Sequence, residues 1–451
     1  MTTVHDARVP SCETPEVLLF EAAGEPNLFV ADGSRLFGID HATATDLRAR
    51  IGVNDSAGLD ARLRSLGVGR QRRIEDAAPE IPLRSISLAI AQKCNLGCSY
   101  CYAEGGSFGR TESMMSLDIA KRAVEQLIRG CPTGERVNIA FLGGEPLTNR
   151  EVLIAVTEFT AALAAARNVQ ASFSVTTNGT LLTVGDGAFF ERHGFAVTVS
   201  LDGIGEVHDQ LRPFKGGRGS FDRIIDRVQP LLPRQDRMQI AARVTVTPQN
   251  LRLPETLDRL IQLGFHSVGF SPMLASPTGA NQMETSGLRD MLAQMIKCGE
   301  AFEAHVLNGL RYPFANMTNA LREIHRGTHR PYPCGAGAGY LGVSAEGEIF
   351  ACHRFVGDER GAMGDVTKGI DPHRQHEWLR RRHVHFQEPC SGCWARYLCG
   401  GGCHHEVLNR GRPACDYIRS WLEYCLQAYV RLQKARPHLF GPTAVANASS
   451  L

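Results

Sequence analysis

The residues with the clearest chemical potential are three cysteines close together in the sequence. They lie in the segment Cys94-Asn-Leu-Gly-Cys98-Ser-Tyr-Cys101, a C-x3-C-x2-C pattern. Thiolates are the usual ligands of iron–sulfur clusters, so these cysteines can hold three corners of a cubane [4Fe–4S] cluster. Because no fourth cysteine follows locally, one iron would keep an open position for a small molecule. On this motif alone, a zinc knuckle and a buried structural cluster remain open as alternatives.

A second group of cysteines lies in the last third of the chain. Cys334 and Cys352 follow the pattern C-x12-G-x4-C, and six more cysteines come after them: Cys390, Cys393, Cys399, Cys403, Cys415 and Cys425. Added to the first three, these eight thiols suffice for one cluster with an open iron and two fully ligated clusters. The remaining cysteines, Cys12, Cys131 and Cys298, are expected to be ordinary residues.

Between the two cysteine groups, the sequence alternates predicted strands and helices. Short β-branched runs predict six strands, namely 86–90, 137–142, 172–176, 197–201, 240–247 and 267–270. Amphipathic helices are expected between them, at 117–128, 151–165, 221–232 and 254–263. This alternation predicts parallel βαβ units, in either an open doubly wound sheet or a barrel. Both architectures gather functional residues at the carboxyl ends of the strands.

Polar residues follow the predicted strands at these ends. Gly143-Gly144-Glu145-Pro146 follows the second strand; there the glycines let the backbone approach a ligand closely. The third strand ends at Asn178 and the fourth at Ser200-Leu-Asp202, with His208 and Arg212 shortly afterwards. For Asn178, Asp202 and His208, a structural role at the strand end is an equal alternative to ligand binding.

In this order, the motifs resemble those of the radical S-adenosylmethionine (SAM) enzymes. In that family the open iron binds SAM, and an injected electron cleaves it to a 5′-deoxyadenosyl radical. The resemblance implies an α/β fold, a partial (β/α)6 barrel. It also implies cofactor contacts by Gly143, Gly144 and Glu145, with Ser200 at the ribose or carboxylate of SAM and Asn178 and Asp202 nearby. The segment from Ser200 to Arg212 resembles the peptide- and protein-modifying branch that includes the anaerobic sulfatase-maturing enzymes, and it implies a charged partner for Arg212.

The C-terminal cysteines resemble the SPASM extension, which holds two auxiliary [4Fe–4S] clusters in related enzymes. The resemblance assigns Cys390, Cys393, Cys399 and Cys415 to a distal cluster and Cys334, Cys352 and Cys403 to a proximal one. Cys425 is expected to complete the proximal cluster, the alternative being an iron open to substrate. Sulfatase-maturing relatives carry an Asp, proposed as a base, where this chain has His353. That departure counts against formylglycine formation, and His353 is expected to act either as a base or as a hydrogen-bond partner of the cluster.

Composition and charge indicate the class of partner and the compartment of the protein. Lys and Arg number 49 and Asp and Glu number 47, so nothing indicates a nucleic acid or an anionic membrane as partner. No signal-peptide-like or membrane-spanning apolar run is evident, so the reducing cytoplasm is expected.

The expected domains are a small α+β unit at 1–83, the barrel at 84–310, the cysteine-rich unit at 311–430 and a tail at 431–451. The first unit, a strand meander followed by two helices, either recognises a peptide by strand addition or caps the barrel.

For the substrate, the sequence offers a resemblance alone. Segments 352–365, 399–406 and 411–416 look closest to the maturases of quinohemoprotein amine dehydrogenase. These join cysteine sulfurs to methylene carbons of Asp or Glu in the dehydrogenase small subunit, using an external electron donor such as flavodoxin or ferredoxin. The expectation is therefore intra-peptidyl thioether formation. Alternatives are another radical SAM peptide maturase, making sactionine-type or carbon–carbon links or oxidising Cys or Ser as sulfatase maturation does, and a non-catalytic electron carrier.

Overall fold

The computed structural model describes residues 16–68 and 81–441. The N-terminal unit begins with an antiparallel sheet of three strands, β1 (Val17–Ala22), β2 (Glu25–Val30) and β3 (Arg35–Gly38). Two helices follow, α1 (His41–Gly52) and α2 (Ser56–Ser65). The predicted meander and both helices are thus present. Cys12 lies outside the described residues, as do parts of the expected first and last domains.

The N-terminal unit is attached to the cysteine-rich region by a buried cation. Arg396 Nη2 lies 3.0 Å from Glu16 Oε1 and 3.5 Å from Asp32 Oδ1. The rings of Phe29 and Trp394 meet edge to face, with their centroids 5.9 Å apart. The segment between Cys393 and Cys399 therefore supports the small sheet directly.

The central sheet carries the six predicted strands in sequential order. From one edge inward the order is β10, β9, β8, β7, β6 and β4, all parallel. In chain order the strands are β4 (Ser85–Gln92), β5 (Ser113–Met114), β6 (Arg136–Gly143), β7 (Gln170–Thr177), β8 (Ala196–Ser200), β9 (Gln239–Val246) and β10 (Ser267–Pro272). A doubly wound sheet reverses its strand order at a switch point. This sheet has no reversal among these strands, which favours the predicted partial barrel.

The helices of this region are α3 (Leu117–Arg129), α4 (Arg150–Ala166), α5 (Val184–His193), α6 (Glu206–Leu211), α7 (Phe221–Val228), α8 (Leu253–Gln262), α9 (Thr285–Leu307) and α10 (Ala315–His325). All four predicted helices are present, and α7 ends four residues earlier than expected. Because successive parallel crossovers have the same hand, the connecting helices cover one face of the sheet. The other face forms the concave interior of the barrel.

The two faces of each strand differ in character. On β9, Ala242, Val244 and Val246 are buried beneath the helices, whereas Ala241, Arg243 and Thr245 remain accessible on the inner face. The neighbouring strands repeat this alternation with small polar inner residues: Asn138, Ser172, Ser174, Thr176, Thr198 and Ser200. The barrel interior is therefore lined by polar groups that water or a ligand can reach.

The cysteine-rich region continues the same sheet. Strand β11 (Tyr340–Val343) pairs with β4 in parallel, and β12 (Glu348–Phe350) returns antiparallel to it. Two short strands extend the edge, β13 (Ala362–Asp365) and β14 (Gly369–Ile370). The remaining helices are α11 (Pro372–Arg382), α12 (Arg396–Cys399), α13 (His404–Arg410) and α14 (Cys415–Ala435). Since β12 runs against β4, Cys94 and Cys352 leave the sheet at opposite ends.

Candidate functional site

The first cysteine motif forms a loop directly beyond the carboxyl end of β4. Burial raises the pKa of the Cys98 thiol to about 12; Arg212 opposes this effect, whereas Cys101 and Cys94 add to it. The thiols are thus close enough to influence one another electrostatically. Cys94 Sγ accepts a hydrogen bond from the backbone N–H of Leu96 at 3.4 Å. The three predicted ligands are therefore brought together in a single loop.

Glycines allow the Gly143–Gly144 turn to hold this loop by close backbone contact. Gly144 N–H donates to Ala91 O at 2.7 Å, and Glu145 N–H donates to Lys93 O at 2.8 Å. A Cβ on Gly143 would lie 2.3 Å from Ala91 O, and one on Gly144 would lie 2.3 Å from Lys93 O. These two positions therefore require glycine, since any side chain would displace the start of the cysteine loop.

The Glu145 side chain is enclosed by the protein. Its carboxylate is fully buried and accepts hydrogen bonds from Thr177 Oγ1, Asn178 N–H and Leu147 N–H at 2.7, 2.7 and 3.1 Å. Burial raises the pKa of this carboxyl, and these hydrogen bonds oppose the rise. These three contacts all lie within the protein, and the predicted cofactor contact of Glu145 stays a prediction.

Asn178 has a structural role beside the same loop. Its Nδ2 donates to Asn95 Oδ1 at 2.9 Å and approaches Cys94 Sγ at 3.7 Å. Its Oδ1 accepts from the backbone and the hydroxyl of Thr180 at 3.0 and 2.7 Å. Of the two roles left open for Asn178, the structure favours orientation of the cysteine loop over ligand binding.

Asp202 and Arg212 belong to one buried network with Tyr100. Asp202 is fully buried; one carboxylate oxygen accepts from Thr245 N–H at 2.7 Å and the other from the Tyr100 hydroxyl. Arg212 Nη1 donates to the Tyr100 hydroxyl at 2.8 Å and lies 3.5 Å from Asp202 Oδ2. Burial lowers the pKa of Arg212, but Cys98 and Asp202 outweigh it and the pKa is raised. The expected charged partner of Arg212 is therefore Asp202.

His208 supports this network as a neutral ring. Its Nδ1 accepts from Asp202 N–H at 3.2 Å, and its Nε2 lies 3.0 Å from Ser220 Oγ, which itself donates to Arg212 O. These contacts fit a ring protonated at Nε2. Burial, together with Arg212, lowers the pKa of His208 to about 3.

Ser200 lies at the end of β8 with its side chain partly accessible, and its predicted cofactor contact stays a prediction.

The C-terminal cysteines lie in two neighbouring sets. Cys334, Cys352 and Cys403 interact electrostatically with one another, and burial raises the pKa of the Cys352 thiol to about 12. The second group lines a single cavity together with Cys403: Cys390, Cys393, Cys399 and Cys415. The cations Arg412 and Arg419 also border that cavity and lower the pKa of the Cys415 thiol against the larger effect of burial. Thiols beside cations suit an anionic cluster.

Cys425 belongs to neither group, which corrects the sequence prediction. It lies three turns along α14 from Cys415, is fully buried, and contacts Met317 with its sulfur 3.9 Å from Met317 Sδ. Burial raises the pKa of its thiol well above the usual value; within the described residues, Glu303 adds to this effect and no cysteine does. Cys425 is therefore a core residue between α14 and α10, and the described part of the chain supplies three cysteines to the proximal group.

His353 lies between the first cysteine loop and the proximal group. Its Nδ1 is 2.7 Å from the Tyr340 hydroxyl, and its ring meets Tyr102 edge to face with 5.9 Å between centroids. Burial lowers the pKa of His353 to about 3, and Arg354 contributes to the shift. A ring with so low a pKa is a weak base, which favours a hydrogen-bonding role over proton abstraction.

The polar residues after Cys403 have partners within the protein. Glu406 pairs with Arg354 at 2.8 Å, and His404 Nδ1 accepts from Arg382 Nε at 2.9 Å. The basic run Arg380–His383 is divided between surface and core. Arg380 and Arg381 are exposed, but Arg382 and His383 are buried. Sequence reasoning overlooked Arg354 and Arg243. The signal for Arg243 was available, since it interrupts the small inner residues of a predicted strand.

Comparisons with known proteins agree with this geometry. Residues 88–232 match the family described as the radical SAM superfamily. This part of the chain is therefore similar to a radical SAM domain. The serine-type anaerobic sulfatase-maturating enzyme of Klebsiella aerogenes is 26% identical over 378 residues, which cover 78% of this chain and 88% of that enzyme.

Solved structures show the same fold. The anSMEcpe structure with bound AdoMet and Cp18Cys peptide has a TM-score of 0.63 at 19% identity, covering 78% of this chain and 99% of that one. Streptococcus suis SuiB has a TM-score of 0.53 at 14% identity and covers 88% of this chain and 96% of its own. The radical SAM α/β fold predicted from the sequence is therefore confirmed.

The cofactors of a radical SAM domain are SAM and a [4Fe–4S] cluster. The donor set fits them: a three-thiol loop, a glycine turn with no room for a Cβ, and two further thiol groups with cations beside them. Within residues 16–68 and 81–441, no three His, Cys, Asp or Glu side chains converge on a point where a single metal ion could sit, and all thirteen cysteines are free thiols. In the same residues, no helix is long and apolar enough to cross a membrane.

Proposed function

We propose that this chain is a radical SAM peptide maturase that oxidises a side chain of a peptide held inside its barrel. The observation that carries the proposal is the placement of two thiol sites at opposite ends of β4, with the polar barrel interior between them. When bound, SAM and its cluster supply a radical that removes a hydrogen atom, and an auxiliary cluster accepts a second electron. A two-electron oxidation of the substrate would therefore use both thiol sites, one for removal of the hydrogen atom and the other for uptake of the second electron.

The residues of this chain would orient and enclose that chemistry. Gly143 and Gly144 fix the position of the cysteine loop through the backbone. The network of Tyr100, Asp202 and Arg212 packs beside the loop, and its buried ion pair is neutralised internally. Tyr102 and His353 form an aromatic wall between the two thiol sites. The substrate carbon would then lie in a site shielded from bulk water.

The comparisons favour sulfatase-type oxidation as the product chemistry. The related enzyme of Klebsiella aerogenes is a serine-type anaerobic sulfatase-maturating enzyme, and the anSMEcpe structure contains the Cp18Cys peptide. For a serine, the β-carbon would lose a hydrogen atom, then an electron and the hydroxyl proton, to give an aldehyde. For a cysteine, the same losses would give a thioaldehyde, which water would convert to the aldehyde with release of hydrogen sulfide.

Thioether formation is the second candidate. His353 favours it, because this residue stands where sulfatase-maturing relatives have an Asp, the residue proposed there as the base. The carbon of an Asp or Glu side chain would lose a hydrogen atom and then an electron, while the cysteine would lose its proton as sulfur bonds to that carbon. The three-cysteine proximal group supports this route too, since an iron with no cysteine ligand could hold the substrate thiolate.

Product analysis separates the two candidates. The protein, loaded anaerobically with iron and sulfide, would receive SAM, a reductant and one of three substrates: the Cp18Cys peptide, its serine counterpart, or the small subunit of quinohemoprotein amine dehydrogenase. A hydrazide reagent labels an aldehyde, whereas a thioether blocks thiol alkylation and links two residues in fragment spectra. Hydrazide labelling would establish the sulfatase-type reaction, and a Cys–Asp or Cys–Glu link would establish thioether formation.

Two variants control this experiment. Cys98→Ala removes a thiol from the first loop and is expected to abolish 5′-deoxyadenosine release, whereas Cys131→Ala removes a partly buried thiol outside all three groups and is expected to retain it. Loss of 5′-deoxyadenosine in both variants would show that the assay reports general damage. Absence of 5′-deoxyadenosine from the loaded wild-type protein with every peptide would contradict the proposed function.

A further inference from the structure

Arg243 is a long cation on the otherwise small-residue inner face of β9. Its neighbours on that face, Ala241 and Thr245, are small, and Ser200 lies beside it on β8. The Arg243 side chain is solvent-exposed although the outer face of the strand is fully covered. Exposure of this kind means that the side chain reaches into the barrel interior rather than into the protein core.

The Arg243 guanidinium has no partner in the described part of the chain, where it makes no hydrogen bond within 3.5 Å and no ion pair within 4.0 Å. A guanidinium offers five donors in a planar fork, and all of these remain available to a ligand. The nearby acids are already engaged. Asp202 is taken by Tyr100, Arg212 and Thr245, and Glu406 by Arg354.

The two acids near Arg243 are each balanced by another arginine. The surrounding protein atoms lower the pKa of Arg243 and its neighbour Arg354 lowers it further, whereas Glu406 and Asp202 oppose both effects. Arg354 is itself accounted for, because its Nη1 lies 2.8 Å from Glu406 Oε1 and 3.6 Å from Cys403 Sγ, and its guanidinium covers the Tyr102 ring. One cation therefore remains without a counter-charge, beside the aromatic wall formed by Tyr102.

We propose that Arg243 is a specificity-determining residue that binds a carboxylate of the peptide substrate, an Asp or Glu side chain close to the residue that reacts. This assignment rests on the proposed function and adds to it the kind of peptide that the enzyme would select. A carboxylate matches the planar fork of Arg with two parallel hydrogen bonds, which a lysine cannot reproduce. Arg212 cannot serve in this way because Asp202 neutralises it.

The test measures peptide capture, which does not require turnover. Full-length protein, loaded anaerobically and saturated with SAM, would select from a library of random peptides that contain one cysteine or serine. The wild-type protein is expected to enrich Asp or Glu near that residue by at least about tenfold over Arg243→Gln, the range expected for a hydrogen-bonded charge pair. Arg289→Gln, which removes an exposed arginine from α9, is the matched control and is expected to keep the enrichment.

The remaining outcomes each decide the matter. Peptide capture with no acidic preference, or with a preference that Arg243→Gln retains, would overturn this assignment and leave the proposed function standing. Failure of the wild-type protein to capture any peptide would overturn both. Weaker SAM binding by Arg243→Gln would show that the guanidinium serves the carboxylate of SAM instead. If Arg243→Gln loads less iron, Arg243→Lys replaces it: retained charge without the fork is expected to weaken the acidic preference, and an unchanged preference overturns the proposal.

Discussion

The guanidinium of Arg212 donates to the hydroxyl of Tyr100 at 2.8 Å, although 112 positions separate the two residues in the chain. Tyr100 lies inside the C-x3-C-x2-C loop, and Arg212 follows α6 beyond the fourth strand of the barrel. This contact ties the loop to the far side of the barrel mouth, with Asp202 as the shared acceptor.

Loss of Arg212 should therefore destabilise the fold as well as the loop. Arg212→Met leaves the Asp202 carboxylate buried without its cation, which is expected to lower the free energy of unfolding by about 3 kcal/mol or more. Denaturant unfolding under anaerobic conditions measures this loss. The double variant Arg212→Met/Asp202→Asn removes the uncompensated charge and should recover part of the stability; no recovery would show that the ion pair does not account for the effect.

Gly143 provides a second prediction, for the turn that abuts the cysteine loop. Gly143→Ala combines a φ of +143° with a Cβ 2.3 Å from Ala91 O, so the backbone must move. The variant is expected to lose the iron of the first site. Gly217→Ala is the matched control, because Gly217 also has a positive φ, of +81°, but open space around it. The control should lose only about 1 kcal/mol of stability and keep its iron content. Equal iron loss in both variants would contradict the steric explanation.

The third prediction concerns Cys425. Since its sulfur packs against Met317 inside the core, Cys425→Ala should keep the full iron content and lose about 1–2 kcal/mol of stability. Cys403→Ala should lose the iron of one cluster, about four atoms per chain. Iron and sulfide analysis of the two variants checks this difference. A loss of iron from Cys425→Ala would restore Cys425 as a cluster ligand.

His208 predicts an acid sensitivity of the apoprotein. Its pKa is lowered from the usual 6.5 to about 3, so between these values the unfolded chain binds a proton that the folded protein does not. Its stabilising contribution is therefore complete above about pH 6.5 and is lost progressively as the pH falls towards 3, by up to a few kcal/mol. Unfolding free energies measured between pH 5 and 7 should rise with pH. His208→Gln should show a shallower rise, and an unchanged slope would exclude His208 as the source.

Much of the fold was predictable from the sequence, because its strands and helices carry strong local signals. The six barrel strands lie within a few residues of their predicted positions, since β-branched runs such as 240–247 alternate with amphipathic helices. The pairing of β11 with β4 could not be anticipated, because a four-residue strand carries little signal and its partner lies about 250 positions away.

The site was predictable in its thiols and less so in its polar residues. The spacing of Cys94, Cys98 and Cys101 specifies a common loop, whereas a carboxylate at a strand end can face the ligand or the protein. Glu145 and Asp202 both face the protein, and only the hydrogen bonds of the folded chain reveal this. The prediction for Cys425 failed for a similar reason, because the sequence of a helix does not show whether a cysteine sulfur binds iron or packs against Met317.

The continuous sheet between β4 and β12 also limits how the protein can move. Cys94 follows the carboxyl end of β4, and Cys352 follows β12 on strands bonded to β4 through β11. A hinge between the barrel and the cysteine-rich region would have to break these backbone ladders. The interval between the two thiol sites is consequently as rigid as the sheet itself. A peptide substrate of the kind proposed above would enter a gap of fixed span, and no closure of one domain onto another would be needed to hold it.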